Sequence, residues 1–188
     1  MATYVAMLRG INVSGRNKVP MADLRALAGS LGYGGVRTYV QSGNLVFDAR
    51  GRATPDAVAS RLATAVLEGF GIEVPVVART GDELARVVAD SPFTAEGLRP
   101  DDEPRQFHVT FLAAVPDPAA VADLEVAARP FRPDELRVAG ADVYLHIPGG
   151  YGETKLGNAF LERKLGTTAT TRNWKTVTTL ATMAAGRA

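Results

Sequence analysis

The 188-residue chain is 46% hydrophobic and 22% charged, with a formal net charge of +1, which is an ordinary globular composition with room for one large domain or two small ones. It contains no cysteine, which excludes a disulfide framework, a thiol nucleophile and cysteine-ligated zinc, and its near-zero charge argues against tight sequence-independent duplex binding. No run approaches the roughly 18 apolar residues of a membrane span, and the N-terminus lacks the regions of a signal peptide, so a cytoplasmic location without a membrane partner is expected.

Apolar alternation predicts strands at residues 3–9, 36–40, 45–48 and 73–79. Helical spacing fills the gaps: Leu24, Leu27 and Leu31 follow Pro20, and Val58, Leu62, Val66 and Leu67 follow the cap and first-turn pair Thr54 and Pro55. A short helix, DELARVVA, comes next. The same order then returns, with strand FHVTFLA (107–113), a helix near 118–128, a hairpin ELRVAGADVYLHI around Gly140, a helix from about Thr154 to Leu165, strand TTATTR and a closing helix from Trp174. The pattern predicts an α+β chain of two ferredoxin-like (split βαβ) subdomains related by duplication, with antiparallel sheets in the order 4-1-3-2 and extra helices. Pro75 suits the edge position of the fourth strand. The expected division is residues 1–90, a flexible and exposed Pro- and acid-rich linker at 91–104, and residues 105–188.

In that topology the loop after the first strand, residues 10–19, emerges beside the hairpin tip Gln41, Ser42, Gly43 and Asn44. In the second half the loop IPGGYGETK (147–155) and the exit TRNWK (171–175) share an end of their own subdomain. Charge follows these edges. Residues 1–80 carry 9 Lys/Arg and 5 Asp/Glu, residues 81–146 carry 6 and 13, and residues 147–188 carry 6 and 2, so the ends are basic and the middle acidic.

GINVSGRN has the spacing of a phosphate loop at Gly10 and Gly15, after a strand and before a helix. Arg16 and Asn17 replace the lysine and hydroxyl that such a loop needs, and Pro20 delays the helix; what survives is glycine-relaxed amides beside two or three cations, able to hold an oxyanion. Lys155, after the expected cap Thr154, and Lys175, after the expected cap Asn173, stand in first helical turns, where a cation opposes the helix dipole unless an anion is bound. The run Gly149, Gly150, Gly152 is read as a tight turn. Trp174 beside Arg172 offers a ring for a base or sugar, with packing as the commoner role.

Strand alternation puts His108 and Thr110 on one face and Tyr144 and His146 on one face of neighbouring strands, so His108, Asp142 and His146 would converge as a metal or base site if those faces coincide. Ser42 at the hairpin tip is the remaining nucleophile candidate. Neither is strong enough to assign a catalytic residue or a metal, and nothing calls for a cofactor.

The strings LRGINV, NKVPM, TYVQSGN, NAFLE-KLG and TTRNW together resemble a bacterial family known as domain of unknown function 1697. The resemblance implies two ferredoxin-like subdomains and no established activity. Its motif residues map onto Arg9, Asn12, Asn17, Lys18, Gln41, Ser42, Asn44, Lys155, Asn158, Arg172, Asn173 and Trp174. Family members often have glycine at the position of Ser14 and lysine at that of Arg16; the changes keep the charge.

The expected function is binding of a small phosphate- or carboxylate-bearing ligand, or a nucleotide, along edges built from Arg9, Arg16, Lys18, Asn44, Lys155, Arg172 and Lys175. Two alternatives stand beside it. One is single-stranded nucleic-acid binding, supported by Tyr39 and Phe47 on the first hairpin but short of a full aromatic signature. The other is hydrolysis of an unnamed substrate. The oligomeric state is not legible.

Overall fold

The computed structural model of the chain describes every residue except Ser14, Arg52, Arg187 and Ala188. It divides into two compact units, one formed by residues 1–86 with the segment from Thr179 onward, the other by Val87–Thr178.

The first unit runs β1 (Ala2–Leu8), α1 (Met21–Ser30), β2 (Gly34–Tyr39), β3 (Asn44–Ala49), α2 (Pro55–Phe70) and β4 (Val76–Thr80), followed by α3 (Gly81–Ala89) up to Arg86. Its antiparallel sheet has the order β2-β3-β1-β4, as split βαβ chirality requires. Alternate residues of the central strands, Tyr4, Ala6, Leu8, Leu45, Phe47 and Ala49, pack with Leu24 of α1 and Val58, Leu62 and Val66 of α2. α2 begins where its sequence signals a start: Pro55 is at the first helical turn, and Thr54 Oγ1 accepts the Ala57 N–H at 3.2 Å, which satisfies an otherwise orphaned donor. It ends at Gly71, whose φ of 68° is the left-handed cap that glycine reaches without strain.

The second unit contains α4 (Pro92–Ala95), β5 (Phe107–Leu112), α5 (Pro118–Ala128), β6 (Glu135–Ala139), β7 (Asp142–His146), α6 (Asn158–Leu165) and β8 (Ala169–Asn173), with the first residues of α7 (Trp174–Ala184). Its sheet repeats the topology in the order β6-β7-β5-β8, and Leu112, Leu124, Val143, Leu145, Leu161 and Leu165 form the core beneath its helices.

Three boundaries differ from the sequence reading. Pro75 lies one residue before β4, where its carbonyl accepts the Arg9 N–H at 2.9 Å. α6 begins at Asn158 with Gly157 as its cap, four residues later than expected, because the Thr154 hydroxyl accepts from Leu156 N at 3.0 Å and donates to Asp134, making a turn instead of a helix start. The segment 91–104, expected as a linker, lies within the second unit. Most of it is exposed, but Phe93 in α4 is buried and packs edge-on against Phe107, and Asp101 accepts the Trp174 indole N–H at 2.7 Å.

The tip of the first hairpin leaves no room for a side chain at Gly43. Its φ is +74°, and an added Cβ would stand 2.7 Å from Ile11 Cδ1 and 2.9 Å from Leu8 Cβ. Gly43→Ala is expected to cost about 2 kcal/mol through left-handed strain and overpacking, read as a lower denaturation midpoint; an unchanged midpoint would contradict the close packing of loop on hairpin.

Candidate anion-binding site

The loop after β1 is a small finger. Asn12 N donates to Asn17 O and Arg16 N to Val13 O, both at 3.0 Å, so Asn12 and Val13 pair with Arg16 and Asn17 as the two arms of a miniature hairpin. Ser14 lies outside the described residues. Both base residues have positive φ, 54° at Asn12 and 47° at Asn17, a conformation asparagine tolerates better than other non-glycine residues. Their side chains then lock the base. Asn12 Nδ2 donates to Val19 O at 2.8 Å and to Gln41 O at 2.9 Å while its Oδ1 accepts from Val19 N at 2.8 Å, and Asn17 Nδ2 donates to Gly10 O at 3.0 Å. Leu8 N closes the strand end onto Gly43 O at 2.9 Å. The finger and the hairpin tip therefore meet, as the topology predicts.

The lock separates scaffold from surface. Asn12 and Asn17, with the fully buried Asn44, whose Nδ2 donates to Tyr39 O at 3.1 Å and Ser42 Oγ at 2.9 Å, use their amides to hold backbone and hairpin tip together. Arg16 and Lys18 are exposed on the finger and Gln41 on the tip. No Asp or Glu occurs in residues 8–22 or 38–47, and among the described residues neither Arg16 nor Lys18 has an acidic partner. Arg9 is half-buried at the root of the finger. The bonded hairpin is not a phosphate loop: its Arg16 and Asn12 amides are turned into its own cross-bridges, and α1 starts only after Pro20, which provides no side-chain cap.

The second edge is built differently. His146 pairs with Phe107 and Asn173 with His108, so the 147–155 loop and the exit of β8 do share an end. Lys155 is exposed but lies before Gly157 in the turn, outside the first turn of α6. Asn158 Oδ1 accepts from Thr171 Oγ1 at 2.8 Å, and Thr171 pairs with Thr110 at 2.7 Å. Asn173 caps α7 by accepting the Thr176 N–H at 2.8 Å, which places Lys175 in the first turn as expected. Trp174 is 3% exposed with its N–H on Asp101, so it presents no ring face to a base. Arg172 donates to Thr170 Oγ1 and Thr171 O at 2.9 Å each. Burial holds its guanidinium down to about 10, still cationic at neutral pH.

The converging histidine site does not form. Residues directly opposed in an antiparallel pair share a face, and the register sets His146 opposite Phe107, stacked on it at 4.5 Å, while Asp142 lies opposite Phe111 at the other end of β5. His108 is on the other face, stacked on Tyr151 at 4.8 Å. Among the described residues no group of three or more His, Asp or Glu is placed to hold a metal ion. Ser42 serves as an acceptor for Asn44, in a unit whose sequence contains no histidine. Phe47 is buried between Tyr4 and Tyr33, with ring centroids at 6.2 and 4.3 Å, which removes it from any base-stacking platform.

The family described as "Protein of unknown function (DUF1697)" matches residues 1–144. The chain belongs to that family. The match takes in the finger and the first hairpin and stops short of the Asn158 and Trp174 motifs. A likeness of fold to a solved structure extends over those too: the conserved bacterial protein SP0830 from Streptococcus pneumoniae is 22% identical, with 98% of this chain and 99% of that chain covered and a TM-score of 0.71. No curated protein matches the chain. Among the described residues no helix is long and apolar enough to cross a membrane.

Proposed function

We propose that this DUF1697 protein binds a small phosphate- or carboxylate-bearing ligand at the finger end of its first unit, with Arg16 and Lys18 as the charged contacts, Gln41 as a polar contact and Arg9 contributing field from the root. The observation that carries the reading is a pair of exposed cations with no acidic partner among the described residues, mounted on a loop whose base two asparagines lock. Ordering a flexible loop around a ligand costs conformational entropy, and a loop already fixed by its own hydrogen bonds avoids much of that cost. Cations without internal partners also keep their donors for an incoming oxyanion. Asn12, Asn17 and Asn44 act through the scaffold, and Lys155, Asn158, Arg172, Asn173, Trp174 and Lys175 are not required.

The test is a thermal-shift series with pyrophosphate, citrate and nucleotides at low salt. A ligand present at about a hundred times its dissociation constant should raise the midpoint by about 5–10 °C, and the rise should vanish in Arg16→Ala/Lys18→Ala, whose exposed positions leave the fold intact. Absence of a rise with every anion, or the same rise in the double variant, would overturn the reading.

A further inference from the structure

The opposite end of the first unit holds a cavity of about 340 Å³, lined by Leu31 and Tyr33 after α1, Arg50 after β3, and Ala53, Val58 and Arg61 around the start of α2. Its position is fixed by the register: Ala49 pairs with Ala2 at the end of β1 farthest from the finger, whereas Asn44 pairs with Met7 beside it. The floor is rigid. Tyr33 is 9% exposed and stacks on Phe47 at 4.3 Å, and the Tyr4 hydroxyl pins the rim by donating to Ala53 O at 2.6 Å.

Charge sets this cavity apart. The Arg61 guanidinium lies over the Tyr33 ring, 5.6 Å from its centroid. A cation–π contact of this kind fixes the plane of the guanidinium while leaving its N–H donors unused. Arg50 is exposed beside it, and among the described residues no carboxylate lines the cavity and neither arginine has an acidic partner. The nearby Asp48 already accepts the Thr3 hydroxyl at 2.7 Å. Nor is the start of α2 the source of attraction, because the Ala57 and Val58 N–H groups are taken by Thr54 Oγ1 and Thr54 O.

The second unit shows what an ordinary structural corner looks like. Its cavity of about 280 Å³ between α5 and β6 is lined by Arg129, Arg132 and Arg137 together with Glu125, Asp134 and Glu135. There Arg137 grips Glu96 through two bonds of 2.8 and 2.9 Å, and Arg132 meets Glu135 at 3.3 Å. That corner neutralises itself.

We infer that the Arg50–Arg61 cavity is a second binding site, distinct from the finger, which takes a phosphate monoester carrying a compact apolar body: the two guanidinium forks meet the phosphate, and Leu31, Ala53 and Val58 receive the body. Two forks on one dianion match the bidentate geometry that distinguishes arginine from lysine, and the apolar wall distinguishes an ester from the free ion.

The experiment is a ¹H–¹⁵N NMR titration of the full chain with phenyl phosphate, with inorganic phosphate in parallel. Amide shifts are expected at Tyr33, Ala53, Ala57 and Val58, with phenyl phosphate bound more tightly than inorganic phosphate. Arg50→Ala and Arg61→Ala should each weaken binding by about tenfold or more, Arg61→Lys should restore only part of it, and Arg16→Ala/Lys18→Ala should leave it unchanged. Silence at these amides, shifts that survive both arginine substitutions, or equal affinity for the free ion would overturn the assignment. Loss of binding in the finger variant alone would transfer the phosphate to the other end of the unit and overturn it equally.

Discussion

Asn12→Ala is expected to destabilise the first unit by about 3 kcal/mol, which is large for a half-exposed loop residue. The three hydrogen bonds of this side chain reach the N–H and C=O of Val19, itself 1% exposed, and the carbonyl of Gln41. Truncation strands the Val19 backbone away from water, at about 1–3 kcal/mol for each unsatisfied group. It also forces alanine into a φ of 54°, a further cost of about 1 kcal/mol. Asn12→Gly separates the two terms, since glycine relieves the backbone but loses the same bonds; it should be about 1 kcal/mol less damaging than alanine. Urea denaturation followed by circular dichroism measures both. A loss under 0.5 kcal/mol in Asn12→Ala would mean that this asparagine does not hold the finger, and the proposed ligand binding would lose the asparagine lock it relies on; that threshold is the roughly ±0.5 kcal/mol typical of an unimportant surface change.

The second large effect is one of pH. His108 in β5 is 8% exposed, and its Nδ1 has no hydrogen-bond partner. Burial pushes its pKa down from 6.5 to about 4, opposed by the Gln106 carbonyl. The unfolded chain therefore binds a proton that the native state refuses between those two values. Stability is whole above the unfolded value and falls as the pH drops through this window. About 2 kcal/mol is lost near pH 5 and about 3 kcal/mol by the time the folded value is reached, after which both states are protonated and the loss stops growing. Urea midpoints at pH 7.5 and near pH 5, compared with those of His108→Phe, isolate this contribution from that of the carboxylates. The variant should lose markedly less stability than the native protein over the same interval. Parallel losses in the two would show that His108 does not enter the native state neutral.

Much of this architecture was legible in the sequence because alternation and helix punctuation are local signals. The 4-1-3-2 order, the meeting of the finger with the hairpin tip, and the shared end of the 147–155 loop and β8 all follow from counting strands and their directions. Register is not local. A one-residue offset sends His146 to the Phe107 face and dissolves the supposed histidine cluster, and nothing in the hairpin sequence distinguishes the two alignments. Thr154 misleads for a related reason: a threonine that caps a helix and one that closes a turn look alike until the Asp134 carboxylate is seen to receive its hydroxyl.

The asparagines carry the plainest lesson about the site. Asn12, Asn17 and Asn44 enter the candidate site as motif residues of the family resemblance, yet their amides are committed to backbone or to Ser42. A signal did exist, since asparagine among loop glycines is the residue best suited to left-handed φ. The Arg50–Arg61 cavity had no such signal. Arg61 belongs to no motif in the sequence, and only the fold brings it over Tyr33 beside the end of β3.

Isothermal titration calorimetry of pyrophosphate into the native protein and into Arg16→Ala/Lys18→Ala decides whether the exposed Arg16 and Lys18 on the asparagine-locked finger form an anion site. Saturable binding that weakens with added salt, as expected for partly screened charges, and that disappears in the double variant is the predicted result. No heat in the native protein, or equal affinity in both, would contradict it.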